Sequence, residues 1–267
     1  MEYYVIDAFT DRLFSGNPAG VCLAEERLPD AVMQDIAAEN NLSETAFVVK
    51  EDGRYDLRWF TPRVEIDLCG HATLASAYVL MNYVDSSMRR VDFNTKSGPL
   101  TVRRDGELYA MDFPARKPAP CAVPKLLEKA LGAKALETQI SSRDLLVLLE
   151  SESAVAGLCP DFALLKQIEQ PFIIVTAKGG DCDFVSRFFA PNAGIDEDPV
   201  TGSSHCVLIP FWSERLGKNG MTARQLSKRG GVLYCKNLAC RVEIAGNAVL
   251  YLKGSIGLPP CSLSRKF

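Results

Sequence analysis

Histidine is scarce in this sequence. Among 267 residues there are two, His71 and His205. Two imidazoles cannot build a His-rich metal centre and leave little room for a His-based zinc protease. The sequence also has no CxxC pair among its nine cysteines, which excludes a zinc ribbon. Neither sign of charge is in excess: 30 Lys+Arg stand against 33 Asp+Glu, for a net charge of −3. Arg89-Arg90, Arg103-Arg104 and Lys228-Arg229 are too short to coat nucleic acid and read as solvated faces. The longest apolar stretches, near 72–81 and 206–212, are too short to span a bilayer. No nucleic-acid or membrane partner is therefore expected. The start, MEYYVIDAFT, has no apolar secretion core, so free thiols in a reducing, cytoplasmic compartment are expected.

What is present is enough for a core: 47% of residues are hydrophobic. Residues 2–9 and 21–24 read as strands around a turn-dense loop at 15–20. Pro29-Asp30 opens a helix to about Glu39, stopped by Asn40-Asn41. Strands follow at 45–49 and 55–60 around an Asp52-Gly53 turn. Residues 70–83 are small or apolar on nearly every face and predict a buried helix. Further strands fall near 91–95, 99–103 and 107–113, then 145–149, 172–176 and 183–189. A loop at 190–201 leads to a second apolar helix at about 203–216, which Pro210 should kink or break. Strands near 231–235, 239–244 and 248–253 follow. Pro114, Pro118, Pro120 and Pro124 mark a linker at about 115–124. The domain reading is 1–114 and 125–267, with the last residues packing back on the first domain.

The two halves look duplicated. At an offset of 129 residues, Arg58-Trp-Phe-Thr-Pro62 lies over Arg187-Phe-Phe-Ala-Pro191, and Ile66-Asp67 over Ile195-Asp196. Each match runs into a loop that feeds a buried helix through a glycine. The first motif is Asp67-Leu-Cys-Gly-His71-Ala-Thr73 and the second runs from Asp196 to His205. Helix starts of this kind can bind an anion, and two facing each other would hold a small carboxylate. Ordinary capping by Thr73, Ser203 or Ser204 is the alternative. Glu44, just ahead of an apolar strand, suits acid/base work, or is a solvated loop residue. Asp198 precedes a proline that fixes its backbone, or belongs to an exposed acidic loop. Cys69 is a reactive thiol or an inert buried one. His71 follows its glycine directly, whereas His205 lies three residues past Gly202 and packs or caps.

These residues resemble the PhzF-like family of isomerases, within the diaminopimelate-epimerase-like superfamily. The resemblance rests on Asp7-Ala-Phe-Thr10, Phe14, Gly16-Asn-Pro-Ala19, Asn41-Leu-Ser-Glu-Thr45, Phe60-Thr-Pro62, Cys69-Gly-His-Ala-Thr73 and Glu197-Asp-Pro-Val-Thr-Gly-Ser203. It implies an α+β fold of two pseudo-symmetric halves. Each half would be a curled, barrel-like, mainly antiparallel sheet around a central buried helix, with the active site in the cleft between them. It also implies a homodimer and chemistry without metal or organic cofactor. Carried over by motif, Glu44 is the acid/base, with His71 and Asp198 as further catalytic groups. Ser43, Cys69, Gly70, Thr201, Gly202 and Ser203 would bind a small carboxylate substrate. The epimerase branch uses two thiols, yet no cysteine matches Cys69 in the second motif. A proton shift between carbons is therefore the leading expectation. Epimerisation at one carbon of an amino-acid-like substrate and a non-catalytic ligand-binding protein are the alternatives.

Overall fold

A helix with no polar face has to be surrounded, and the chain surrounds two of them. The computed structural model describes residues 1–51 and 53–258; Asp52 of the expected turn and Cys261 lie outside them. The first half contains β1 (Glu2–Ala8), β2 (Asn17–Ala24), α1 (Asp30–Asn40), β3 (Glu44–Glu51), β4 (Arg54–Phe60) and β5 (Glu65–Ile66). It continues with α2 (Gly70–Val79), a π turn at Leu80–Val84, β6 (Arg90–Asn94), β7 (Leu100–Asp105) and β8 (Leu108–Pro114). Next come β9 (Ala119–Pro120), α3 (Leu127–Leu131), β10 (Glu137–Ser141), β11 (Asp144–Leu148), α4 (Glu152–Ala156) and α5 (Phe162–Leu165). Then follow β12 (Phe172–Lys178), β13 (Phe184–Ala190), β14 (Ile195–Glu197) and α6 (His205–Leu216). The last described strands are β15 (Gly220–Gln225), β16 (Gly231–Leu238), β17 (Arg241–Gly246) and β18 (Ala248–Ser255).

The strands form one curled sheet, and its pairing repeats. Along β1-β2-β3-β4-β6-β7-β8 the contacts run antiparallel, parallel, antiparallel, parallel, antiparallel, antiparallel. The same sequence of senses recurs along β10-β11-β12-β13-β15-β16-β17. Parallel neighbours need a crossover, and α2 and α6 are the corresponding crossovers, β4 to β6 and β13 to β15. The two pseudo-symmetric halves expected from the sequence are thus present. β8 joins them by pairing with β17, and β18 pairs with β1.

The repeat is offset differently from the sequence match. Phe60 faces Glu65 as Phe189 faces Glu197. Arg58 Nε donates to Glu65 at 2.7 Å, and Arg187 Nε to Glu197 at 2.7 Å. Glu65 therefore corresponds to Glu197, and the Ile66-Asp67 match is out of register. The second half has inserted a 3-10 turn at Pro191–Ala193 and Gly194 in a left-handed conformation.

Three further expectations change. The turn-dense 15–20 segment is already strand from Asn17, because β1 supplies a partner: Ala8 faces Asn17 and Asp7 faces Pro18. Pro18 is tolerated because β3 starts pairing only at Ala19. Pro210 does not break α6. The carbonyl it leaves without an intrahelical donor is that of Cys206, and the Arg116 N–H donates to it at 2.8 Å. The proline-rich stretch is accordingly tied down; the Ala115 N–H also donates to the Cys240 carbonyl, and β9 pairs with β10. The eight described cysteines are free. No described helix is long and apolar enough to cross a membrane.

Phe9 sits at the junction of the halves. It is fully buried in a left-handed backbone conformation, φ 64°. A methyl group at Gly246 would lie 2.5 Å from its ring. Gly246→Ala should destabilise the protein by about 1–3 kcal/mol, seen as a lower urea midpoint. An unchanged midpoint would mean that the ring yields freely.

Candidate active site

The two helix starts meet. A Cβ placed on Gly70 would be 3.4 Å from the Gly202 Cα, ordinary van der Waals contact, so the two backbones lie one side-chain carbon apart. Cys69, at the N-cap of α2, is extended. On the other side Ser203 and Ser204 form a tight turn, with the His205 N–H donating to the Gly202 carbonyl at 3.0 Å. The helix α6 thus starts two residues later than expected.

Around this contact lie most of the residues singled out from the sequence. Glu44 is the first residue of β3 and is 7% exposed; Cys69 and His71 are 6% and 4% exposed. His71 Nε2 lies 3.1 Å from Glu44 Oε2. The approach is close but off the hydrogen-bond axis, so Oε2 is a buried oxygen with no hydrogen-bond partner. Cys69 Sγ is 3.5 Å from His71 Nδ1. The acidic run is sorted three ways. Asp196 is exposed, Glu197 pairs with Arg187, and Asp198 turns its carboxylate toward Asn17 and Thr201. Ser203 is half-buried, and its carbonyl accepts from Arg116 at 2.6 Å. Ser43 is half-buried beside Glu44 in the chain.

Asn17 was not among the residues chosen from the sequence, although it belongs to the Gly16-Asn-Pro-Ala19 motif. Its Nδ2 donates to Asp198 Oδ1 at 2.8 Å and to the Val200 carbonyl at 2.9 Å, and lies 3.2 Å from His71 Nδ1. Asp198 therefore reaches His71 through Asn17. The loop before Asn17 is pinned across the halves by Arg229, which donates to Asp7 at 2.7 Å and to the Gly16 carbonyl at 2.8 Å. Gln225 was missed as well. It bonds the Asp198 carbonyl at 2.8 Å and accepts from the Thr201 N–H at 2.9 Å. A polar residue in a strand leaves no periodic signal that marks it as functional.

The charges are coupled. Burial pushes the Asp198 carboxyl up to about 6, with His71 pulling it down and Glu44 pushing it up. Burial, followed by the Glu44 charge, pushes the Cys69 thiol up to about 11. For His71, burial opposes the charged form, but negative charge on Cys69 and Glu44 outweighs it and raises the pKa well above the ordinary value. At neutral pH Cys69 is a thiol, so the first of the two charges that raise His71 is absent.

Glu44, Cys69 and His71 offer ligand atoms within 4.8 Å of one another, the span of a metal site. A metal on Nε2 would require the proton on Nδ1. Nδ1 faces the Asn17 amide nitrogen, a donor, which disfavours ligation through Nε2. Two surface hollows of about 320 and 550 Å³ are lined by other residues.

His205 plays a different part from His71. With Gly70 matched to Gly202, its counterpart is Thr73. Thr73 donates to the carbonyl four residues back, Cys69, at 2.5 Å; His205 Nδ1 does the same to Thr201 at 2.9 Å. Its Nε2 is buried without a partner, and burial lowers its pKa to about 4.

An unfolded histidine titrates near about 6.5. Between that value and about 4 the unfolded chain binds the extra proton, so the His205 contribution to stability is lost as pH falls. Asp198 acts oppositely, since its raised carboxyl takes up a proton in the fold first. Comparing wild type with His205→Asn by urea denaturation isolates the histidine. From pH 7 to pH 5 the wild type should lose about 2 kcal/mol relative to the variant. Parallel pH curves would rule this out.

A family model described as "Phenazine biosynthesis-like protein" matches residues 6–254. An uncharacterized isomerase of Pseudomonas aeruginosa is 51% identical, over 97% of this chain and 99% of its own. A mouse phenazine biosynthesis-like domain-containing protein is 42% identical, over 96% and 99%. The crystal structure of an Enterococcus faecalis PhzF family protein superposes with a TM-score of 0.94 at 50% identity, covering 96% and 99%. A probable proline racemase from Agrobacterium radiobacter, with a TM-score of 0.62 at 9% identity over 98% and 94%, shares the fold. By sequence along nearly its whole length, and by fold, the chain belongs to the phenazine biosynthesis-like, PhzF-type family of isomerases.

Proposed function

We propose that this isomerase moves a proton between carbons of a small carboxylate-containing metabolite, without metal or organic cofactor, using Glu44 as the acid/base. The observation that carries this reading is the Glu44 Oε2 atom. It is buried, lacks a hydrogen-bond partner, and lies 3.1 Å from His71 beside two helix starts. No hydrogen bond ties that oxygen down, so a lone pair is free to take a proton from substrate carbon with the His71 ring beside it.

The substrate carboxylate docks at the start of α2 at Gly70 and at the Gly202–Ser204 turn that leads into α6, where N–H groups and helix dipoles favour an anion. Ionised Glu44 removes a proton from a carbon next to an unsaturated or carbonyl group. The N–H groups, His71 and Ser203 stabilise the dienolate-like charge. Protonated Glu44, or the His71/Asp198 pair, returns the proton to a different carbon.

Cys69 favours a second reading, epimerisation at one carbon, because its thiol belongs to the same cluster. Thr201 stands at the matching place in the second half, so that reading has one thiol where the two-thiol epimerases have two. Loss of optical rotation without a double-bond shift would identify it.

A panel of small unsaturated and keto carboxylates incubated in D2O tests both. A compound that wild type exchanges should lose about 10²–10⁴-fold in rate with Glu44→Gln and stay within about tenfold with Cys69→Ser. Full exchange by Glu44→Gln would remove Glu44 from this role.

A further inference from the structure

We propose that Asn17 is a positioning residue: its side-chain amide fixes the tautomer of His71, keeping the proton on Nε2 facing Glu44 and Nδ1 bare. Its importance for turnover rests on the roles given above to Glu44 and His71; the tautomer itself does not.

The orientation of the amide follows from its surroundings. Asn17 is fully buried. Its Nδ2 is within 2.9 Å of two oxygens, Asp198 Oδ1 and the Val200 carbonyl. A backbone carbonyl can only accept, and so can an ionised carboxylate. Turning the amide over would set Oδ1 against both oxygens, so the nitrogen has to stand where it does. The same nitrogen is 3.2 Å from His71 Nδ1. Two N–H bonds are then shared among three acceptors, and Oδ1 is left buried without a partner. That orphaned oxygen measures how strongly the three neighbours dictate the orientation.

Nδ1 therefore faces a donor. Cys69 adds a second, since its sulfur lies 3.5 Å from the same nitrogen and burial keeps it an S–H. A neutral imidazole carries one proton and accepts at its other nitrogen. With two donors aimed at Nδ1, the proton belongs on Nε2, 3.1 Å from Glu44 Oε2. The first of the charges that would raise His71, a Cys69 thiolate, is absent at neutral pH because burial keeps the thiol protonated. A second proton on the ring would have to sit on Nδ1, which already faces the Asn17 amide nitrogen.

The arrangement also spans the molecule. Asn17 and His71 come from the first half, and Asp198 and Val200 from the second. The ring that faces Glu44 is thereby referenced to the loop that carries Asp198. A displacement of that loop would release the amide and with it the tautomer.

The scarcity of histidine makes this measurable without substrate. Protein labelled with ¹⁵N-histidine should give two ring systems in long-range ¹H–¹⁵N spectra at neutral pH, assigned with His205→Asn. His205 donates from Nδ1 to the Thr201 carbonyl and should show Nδ1–H with a bare Nε2. His71 should show the opposite, Nε2–H with a bare Nδ1. A doubly protonated His71, or one with its single proton on Nδ1, overturns the proposal. Asn17→Asp replaces the donor by an acceptor. His71 Nδ1 should then gain a proton, His205 should be unchanged, and exchange of the compound found above should fall by about 100-fold. A folded Asn17→Asp protein with Nδ1 still bare also overturns it. If that variant does not fold, the wild-type spectrum decides. Opposite tautomers together with full exchange by Glu44→Gln would leave this assignment standing and remove the reaction assigned to Glu44. The reverse result would remove this inference alone.

Discussion

Everything at this site depends on the contact between Gly70 and Gly202. Two helices begin near each other, each N-terminus carrying roughly half a positive charge, and the Gly70 and Gly202 backbones lie one side-chain carbon apart. Two positive ends in one place are stabilised by negative charge nearby. Glu44 and Asp198 provide it from the two sides, one from the start of β3 and one from the loop before α6. The carboxylates and the helix ends belong to one electrostatic unit, which is why acid/base residues gather at the junction of the halves rather than within either.

The parts of this fold that were legible from sequence are those whose local pattern and tertiary role agree. Residues 70–79 are apolar or small all round, and a sheet encloses them. The repeat of Arg58 at Arg187 is matched by equivalent ion pairs. Where the reading slipped, the loop had changed length. Ile66-Asp67 and Ile195-Asp196 look alike, but an inserted turn moves the true register by three residues, from an offset of 129 to one of 132. That shift also separates the two histidines. Aligned by glycine, His205 answers to Thr73, and a serine, Ser203, stands where the second half would need its own His71.

Asn17 and Pro210 show what a single sequence hides. Asn17 sits in a segment whose composition signals a turn, and it is strand because β1 offers hydrogen bonds along its edge. Pro210 signals the end of a helix, but the helix continues because Arg116, 94 residues upstream, donates to the carbonyl that proline abandons. In both cases the deciding partner is remote in sequence. Glu44 was legible only through its motif; as an isolated glutamate ahead of a strand, it had no local feature to mark it as buried.

The pairing of β1 with β18 has a consequence for how the molecule is made. The N-terminal strand finds one of its two neighbours in residues 248–255, and the Met1 amino group reaches the Ile256 carbonyl. Synthesis runs from β1 toward β18, so during translation β1 emerges with one side bare and stays so until nearly the whole described chain has been polymerised. The first half can collapse around α2 early, but its sheet is completed last. Such a long sequence separation slows folding and leaves a sticky edge open meanwhile. A nascent chain stalled before β18 would expose that edge to chaperones or to other nascent copies, whereas release of the last strands seals it.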